Sequence, residues 1–112
     1  MLSTDIGQKA EQNVAEYLNQ RGFKILVRNW RRPRCEVDIV AQKDEVVYFV
    51  EVKYRGSDIQ GEGFEYVTTK KQKQLLYAAN LWCQESNFSG DMRLLAASVS
   101  GTDLNKINVV EI

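Results

Sequence analysis

Apolar residues fall first at helical spacing and then at every second position. Ile6, Ala10, Val14, Tyr17 and Leu18 recur three or four residues apart, which predicts an amphipathic helix over 4–21. Ser3 or Thr4 can cap it and Gly22 can end it. "FKILVRNW" (23–30) predicts a first strand, and "RRPR" (31–34), with the only proline, a basic turn. "CEVDIVAQ" (35–42) alternates polar and apolar, turns at "KDE", and leads into "VYFVEVKYR" (47–55). That last run is so rich in β-branched and aromatic residues that it reads as a buried central strand, hairpinned to 35–42. "GSDIQGEG" (56–63) holds three of the seven glycines and predicts a loop. A second helix is expected over 67–86, burying Leu75, Leu76, Ala79, Trp82 and Cys83. "MRLLAASVS" (92–100) and "INVVEI" (107–112) predict two closing strands. The order α-β-β-β-α-β-β predicts one α/β domain over residues 1–112, a mixed central β-sheet flanked by helices.

The 112 residues suffice for one modest core. No apolar run is long enough to span a bilayer, and the N-terminal stretch lacks the basic start and apolar middle of a secretory signal. A soluble cytoplasmic domain with no membrane partner is expected. With no histidine and two cysteines, Cys35 and Cys83, every Ser-His, Cys-His and His-metal mechanism is excluded and a structural zinc site has too few ligands. Hydrolytic chemistry would fall to carboxylates, lysines and hard metal ions. Fifteen basic and fifteen acidic residues give zero net charge, but the charge is segregated. Arg21, Lys24, Arg28, Arg31, Arg32 and Arg34 lie in a stretch without an acid, and Lys70, Lys71 and Lys73 open the second helix.

Strand geometry puts Val47, Phe49, Glu51 and Lys53 on one face, neighbours about 6.6 Å apart, with Tyr48, Val50 and Val52 on the other. On the preceding strand, alternation groups Glu36, Asp38 and Val40. If both acidic sets point the same way, three carboxylates and a lysine converge. Crowded like charges need a cation, and an oxygen-only donor set suits Mg²⁺ or Mn²⁺. The alternative for Glu51 and Lys53 is a solvated face. Glu11 borders the buried stripe of the first helix, one turn after Gly7, and is either a fourth member or a flanking surface acid. Lys70, Lys71 and Lys73 stand where the helix dipole disfavours cations, so they make a phosphate contact or a solvated face. The 21–34 stretch, with Asn29 and Trp30, reads as a contact for a duplex backbone or as an exposed hairpin. Arg55 extends the central strand toward whatever lies there.

"IGQKAEQNVAEYLNQRGFKILVRNW", "CEVDIV", "VVYFVEVKYR" and "VTTKKQKQLLYAANLW" together resemble the YraN-like family of the PD-(D/E)xK, restriction-endonuclease-like nucleases. The joint pattern of Gly7, Glu11, Gly22, Asn29, Glu36, Asp38, Glu51, Lys53 and Lys71 carries the resemblance. It implies a helix-flanked core similar to archaeal Holliday junction resolvases, with a metal site at one end of the sheet. Asp38, Glu51 and Glu11 would be metal ligands, Lys53 the catalytic lysine, Glu36 an accessory acid and Lys71 a lysine facing nucleic acid. Cys35, where the family usually has glycine, and Leu95, where an acid is common, depart from the pattern. The expected activity is metal-dependent hydrolysis of phosphodiesters in branched or structured DNA. Arg28, Arg31, Arg32, Arg34, Arg55, Lys70, Lys71 and Lys73 would hold the flanking backbone. A resolvase-like task needs two sites on opposed strands, which points to a homodimer. The rival from another class is a non-catalytic nucleic-acid-binding or assembly module on the same fold.

Overall fold

The structure, a computed structural model, describes residues 3–56 and 67–112. Seven elements follow in the expected order: α1 (Ser3–Gln20), β1 (Lys24–Arg32), β2 (Cys35–Lys43), β3 (Val46–Tyr54), α2 (Thr69–Glu85), β4 (Met92–Ser100) and β5 (Lys106–Glu111). The strands lie in sequence order in one sheet. Only the β3–β4 pair is parallel, because α2 carries the chain back across the sheet between them. The architecture is thus α/β with a five-stranded mixed sheet. The Ser3 and Thr4 side chains and most of the expected loop, 57–63, fall outside the described residues.

Local chemistry sets the element ends. Gly22, at φ 93°, closes α1. Its N–H donates to the Asn19 carbonyl and that of Phe23 to the Leu18 carbonyl, the paired bonds of a Schellman cap. The basic turn is shorter than expected: Arg31 and Arg32 are still strand, and only Pro33 and Arg34 form the loop. Arg34 takes φ 75° there, which suits the second corner of a tight turn whose first corner is proline. Asp44, at φ 55°, begins the β2–β3 turn. Thr68 caps α2, its hydroxyl accepting from the Lys71 N–H.

The sheet buries both faces. Ala10, Val14, Ala15 and Leu18 of α1 pack on Ile39, Ala41, Val50, Leu95, Ala97 and Val99. Leu95, the departure on β4, is therefore a core side chain. On the other face Leu75, Ala78 and Ala79 of α2 cover Trp30, Val37, Val40, Val47 and Phe49. The α2 stripe is rotated from the expected one, because Ala78 takes the core position and leaves Leu76 and Tyr77 42% and 57% exposed.

One expectation about the faces needs correction. Val27 with Trp30 on β1, and Val37 with Val40 on β2, belong to the same α2-side core although each pair is three positions apart. Both strands therefore miss one step of alternation at the same level, between the Arg28↔Ile39 and Trp30↔Val37 pairs, where Asn29 and Asp38 lie. Asn29 takes φ 53° to make the step. Glu36, Asp38 and Val40 accordingly do not form one regular face.

Candidate active site at a fork in the sheet

The β2–β3 ladder runs from Lys43↔Val46 to Ile39↔Val50 and stops. Beyond that point the Asp38 side chain replaces a rung, its Oδ2 accepting the Val52 N–H at 2.8 Å. β3 keeps its other neighbour throughout, with Glu51 opposite Ala96 and Lys53 opposite Ser98. The two strands thus part around a carboxylate that a main-chain donor holds in place.

Asp38 joins Glu51 from β3 and Glu11 from α1, lying within hydrogen-bonding reach of each. All three carboxyls bind their protons more tightly than usual. Burial and then the Asp38 charge push Glu51 up from 4.5 to about 7, while Lys71 opposes the shift. Burial also raises Asp38, against the Val52 N–H and the hydrogen bond to Glu51, which favour its charged form. Glu11 is raised by burial and the Asp38 charge, opposed by the Asn29 side-chain hydrogen bond and Arg28. Its Oε1 is buried without a hydrogen-bond partner. Crowded carboxylates protonate in this way when no strong cation stands among them.

These donors fit a hard divalent ion in type: three carboxylates, one orphaned buried oxygen, and neither imidazole nor thiolate. In this conformation Asp38 links the other two pairwise. Among the described residues no three Cys, Asp or Glu side chains are arranged so that all could hold one metal ion.

Glu36 stays at the rim, exposed and 3.4 Å from Arg31, yet near enough that its charge raises both Asp38 and Glu51. Lys53 is exposed and makes no hydrogen bond or ion pair with a described residue. It shares a cavity of about 320 Å³ with Ile6 and Gly7, so the open side of α1 adjoins it. Gly7 has nothing within 4 Å of where a Cβ would sit, which leaves the approach clear. Glu51 and Lys71 open instead into a cleft of about 360 Å³ lined also by Arg31, Arg32, Arg34 and Glu36.

The candidate cations separate into groups. Arg32 is held by Glu85 at 2.8 Å and covers the Trp30 ring, 4.7 Å from its centroid, so it fastens the hairpin to α2. Arg28 lines a cavity on the α1–β1 side with Glu16. Lys71 faces the acids, whereas Lys70 and Lys73 line a separate groove with Arg34. Arg55 follows β3, its N–H on the Val99 carbonyl. Sequence reasoning left Asn29 in a stretch read as a duplex contact or an exposed hairpin, and missed that its side chain lies beside Glu11 and favours that acid's charged form. The available signal was an asparagine inside a strand-forming run, a residue that tolerates the left-handed turn.

A mixed α/β sheet that forks around linked carboxylates, with a lysine two residues beyond one of them, places the protein in the restriction-endonuclease-like class. Within that class the chain belongs to the uncharacterised protein family UPF0102, the YraN-like family, whose model matches residues 10–112. A UPF0102 protein of Vibrio parahaemolyticus is 35% identical over 91% of this chain and 88% of its own length. One from Hahella chejuensis is 37% identical over 78% of this chain and 70% of its own. One from Chlorobium phaeobacteroides is 45% identical over 66% of this chain, a match spanning 58% of that protein. Among the described residues no helix is long and apolar enough to cross a membrane.

Proposed function

We propose that the protein is a metal-dependent endonuclease acting on branched or otherwise structured DNA, with Mg²⁺ or Mn²⁺ as cofactor. The observation that carries this reading is the meeting of Asp38, Glu51 and Glu11 at the fork, with their protons held unusually tightly. Asp38 and Glu51 would hold the ion, with Glu11 as the third ligand through its orphaned oxygen. When bound, such an ion supplies charge stabilisation at the phosphate and a more acidic water. Asp38 contributes a fixed position, because the Val52 N–H restrains its carboxylate. Lys53, which pairs with no described residue, would orient the attacking water or meet charge on the phosphate oxygens. Glu36 tunes the affinity of the cluster for cations by adding negative charge at the rim. Arg31, Arg34, Lys70, Lys71 and Lys73 receive the flanking backbone. Resolving a junction would call for two copies of the chain working on opposed strands, a homodimer.

The test is cleavage of flap, junction and single-stranded substrates with Mn²⁺. Lys53→Ala is expected to lose at least a hundredfold in rate while binding DNA as wild type does. Wild-type protein that cuts none of these with any divalent ion would favour the non-catalytic binding module. The pairwise, unclosed arrangement of the three acids is the observation on that side.

A further inference from the structure

The outer face of α2 carries a groove separate from the acid-lined cleft. Its lining is Arg34, Thr69, Lys70, Lys73, Gln74 and Tyr77, around about 690 Å³. Positions 69, 70, 73, 74 and 77 recur at helical spacing, so they form one continuous stripe beside the buried one of Leu75, Ala78 and Ala79. Among the described residues lining it are three cations and no acid. Tyr77 is 57% exposed and belongs to neither hydrophobic cluster of the described residues. Arg34 and Gln74 line both this groove and the cleft holding Glu51, so the two adjoin across these side chains.

We propose that this groove binds an unpaired, single-stranded segment of DNA, with a base stacked on Tyr77 and its phosphates on Lys70, Lys73 and Arg34. The proposal rests on the nucleic-acid reading above and adds which part of a structured substrate lies where. Charge complementarity selects a polyanion, and the ring selects among polyanions. Bases in a duplex already have both faces stacked, whereas an unpaired base offers a free face. A concavity of this size admits a nucleotide and excludes a double helix. From this groove the strand passes Arg34 toward Glu51, so the chain would take the single-stranded arm of a flap or overhang and present the adjoining junction to the acids.

Binding in EDTA, read by fluorescence anisotropy, tests this independently of any cleavage. The probes are a labelled blunt duplex and the same duplex carrying a short oligothymidylate overhang. Wild type is expected to prefer the overhang probe. Tyr77→Ala should weaken overhang binding about tenfold and leave blunt-duplex binding unchanged, with Tyr77→Trp restoring it. Lys73→Gln should weaken overhang binding and flatten its salt dependence. Equal losses on both probes, or none on the overhang probe, overturn the proposal. So does polyglutamate, a polyanion without bases, if it competes as well against wild type as against Tyr77→Ala. Failure of every cleavage assay alongside the expected binding pattern would remove the enzyme and leave this groove standing.

Discussion

Among the described residues, Glu51 is the side chain whose charge depends most on its surroundings. Its proton is held up to about 7 in the folded chain against 4.5 ordinarily, chiefly by burial and by Asp38. The folded state therefore binds this proton more tightly than the unfolded chain does. That contribution to stability is complete below about pH 4.5 and is lost as pH rises through about 7. Because Asp38 and Glu51 share hydrogen bonds, the proton belongs to the pair. Without metal, wild type is expected to lose about 2 kcal/mol across this window, allowing for solvent screening. Glu51→Gln should flatten that dependence in chemical denaturation at a series of pH values, and an unchanged slope would remove the pair from the account. A metal ion at the proposed site would have to displace the shared proton, so stabilisation by Mn²⁺ should grow over the same range.

At the scale of elements, the β1–β2 hairpin is both a fastening and a proposed contact. Arg32 ties it to α2 through Glu85, while Arg34, at φ 75°, is held where glycine would be more comfortable. Arg34→Gly should stabilise the fold by about 0.5–1 kcal/mol in urea denaturation, relief of the corner outweighing the looser unfolded chain. It should also weaken binding of overhang DNA; a destabilised variant would mean that the guanidinium packs structurally. The elements themselves were legible because helical and alternating patterns are local properties, and β4 begins and ends where its pattern does. The missed step at Asn29 and Asp38 was not, since the side chains that compensate for it come from α1 and β3. Leu76 was misplaced for a related reason: several apolar residues of α2 compete for the core, and contact with the sheet selects Ala78 instead. Likewise nothing near Arg32 in sequence announces Glu85, fifty-three residues away.

For the molecule as a whole, zero net charge conceals an acid cluster set against a cationic groove. The nearness of Asp38 to Glu51 was legible in part, because a short turn at 44–45 sets the register that pairs Ile39 with Val50 and brings the next two residues side by side. The part of Glu11 required knowing how α1 lies on the sheet. Asp38→Asn tests the cluster through global stability. An asparagine oxygen can still accept from the Val52 N–H, so the loss of repulsion should raise the melting temperature without metal by a few degrees. At a hundredfold excess over its dissociation constant, Mn²⁺ should stabilise wild type by about 2.7 kcal/mol, and the variant should lose that response. A variant that responds to Mn²⁺ as wild type does would refute the ligand set.

The bond from the Val52 main chain to Asp38 ties architecture to chemistry in one further way. Two ribbons that would otherwise zip together are kept apart by a side chain lodged in the seam. Whatever chemistry the site performs, a lineage could not discard that carboxylate without stranding an amide at the split. Drift toward an amide-bearing substitute would be tolerated and drift toward a methyl would not, so the position is constrained by the seam as well as by any reaction there.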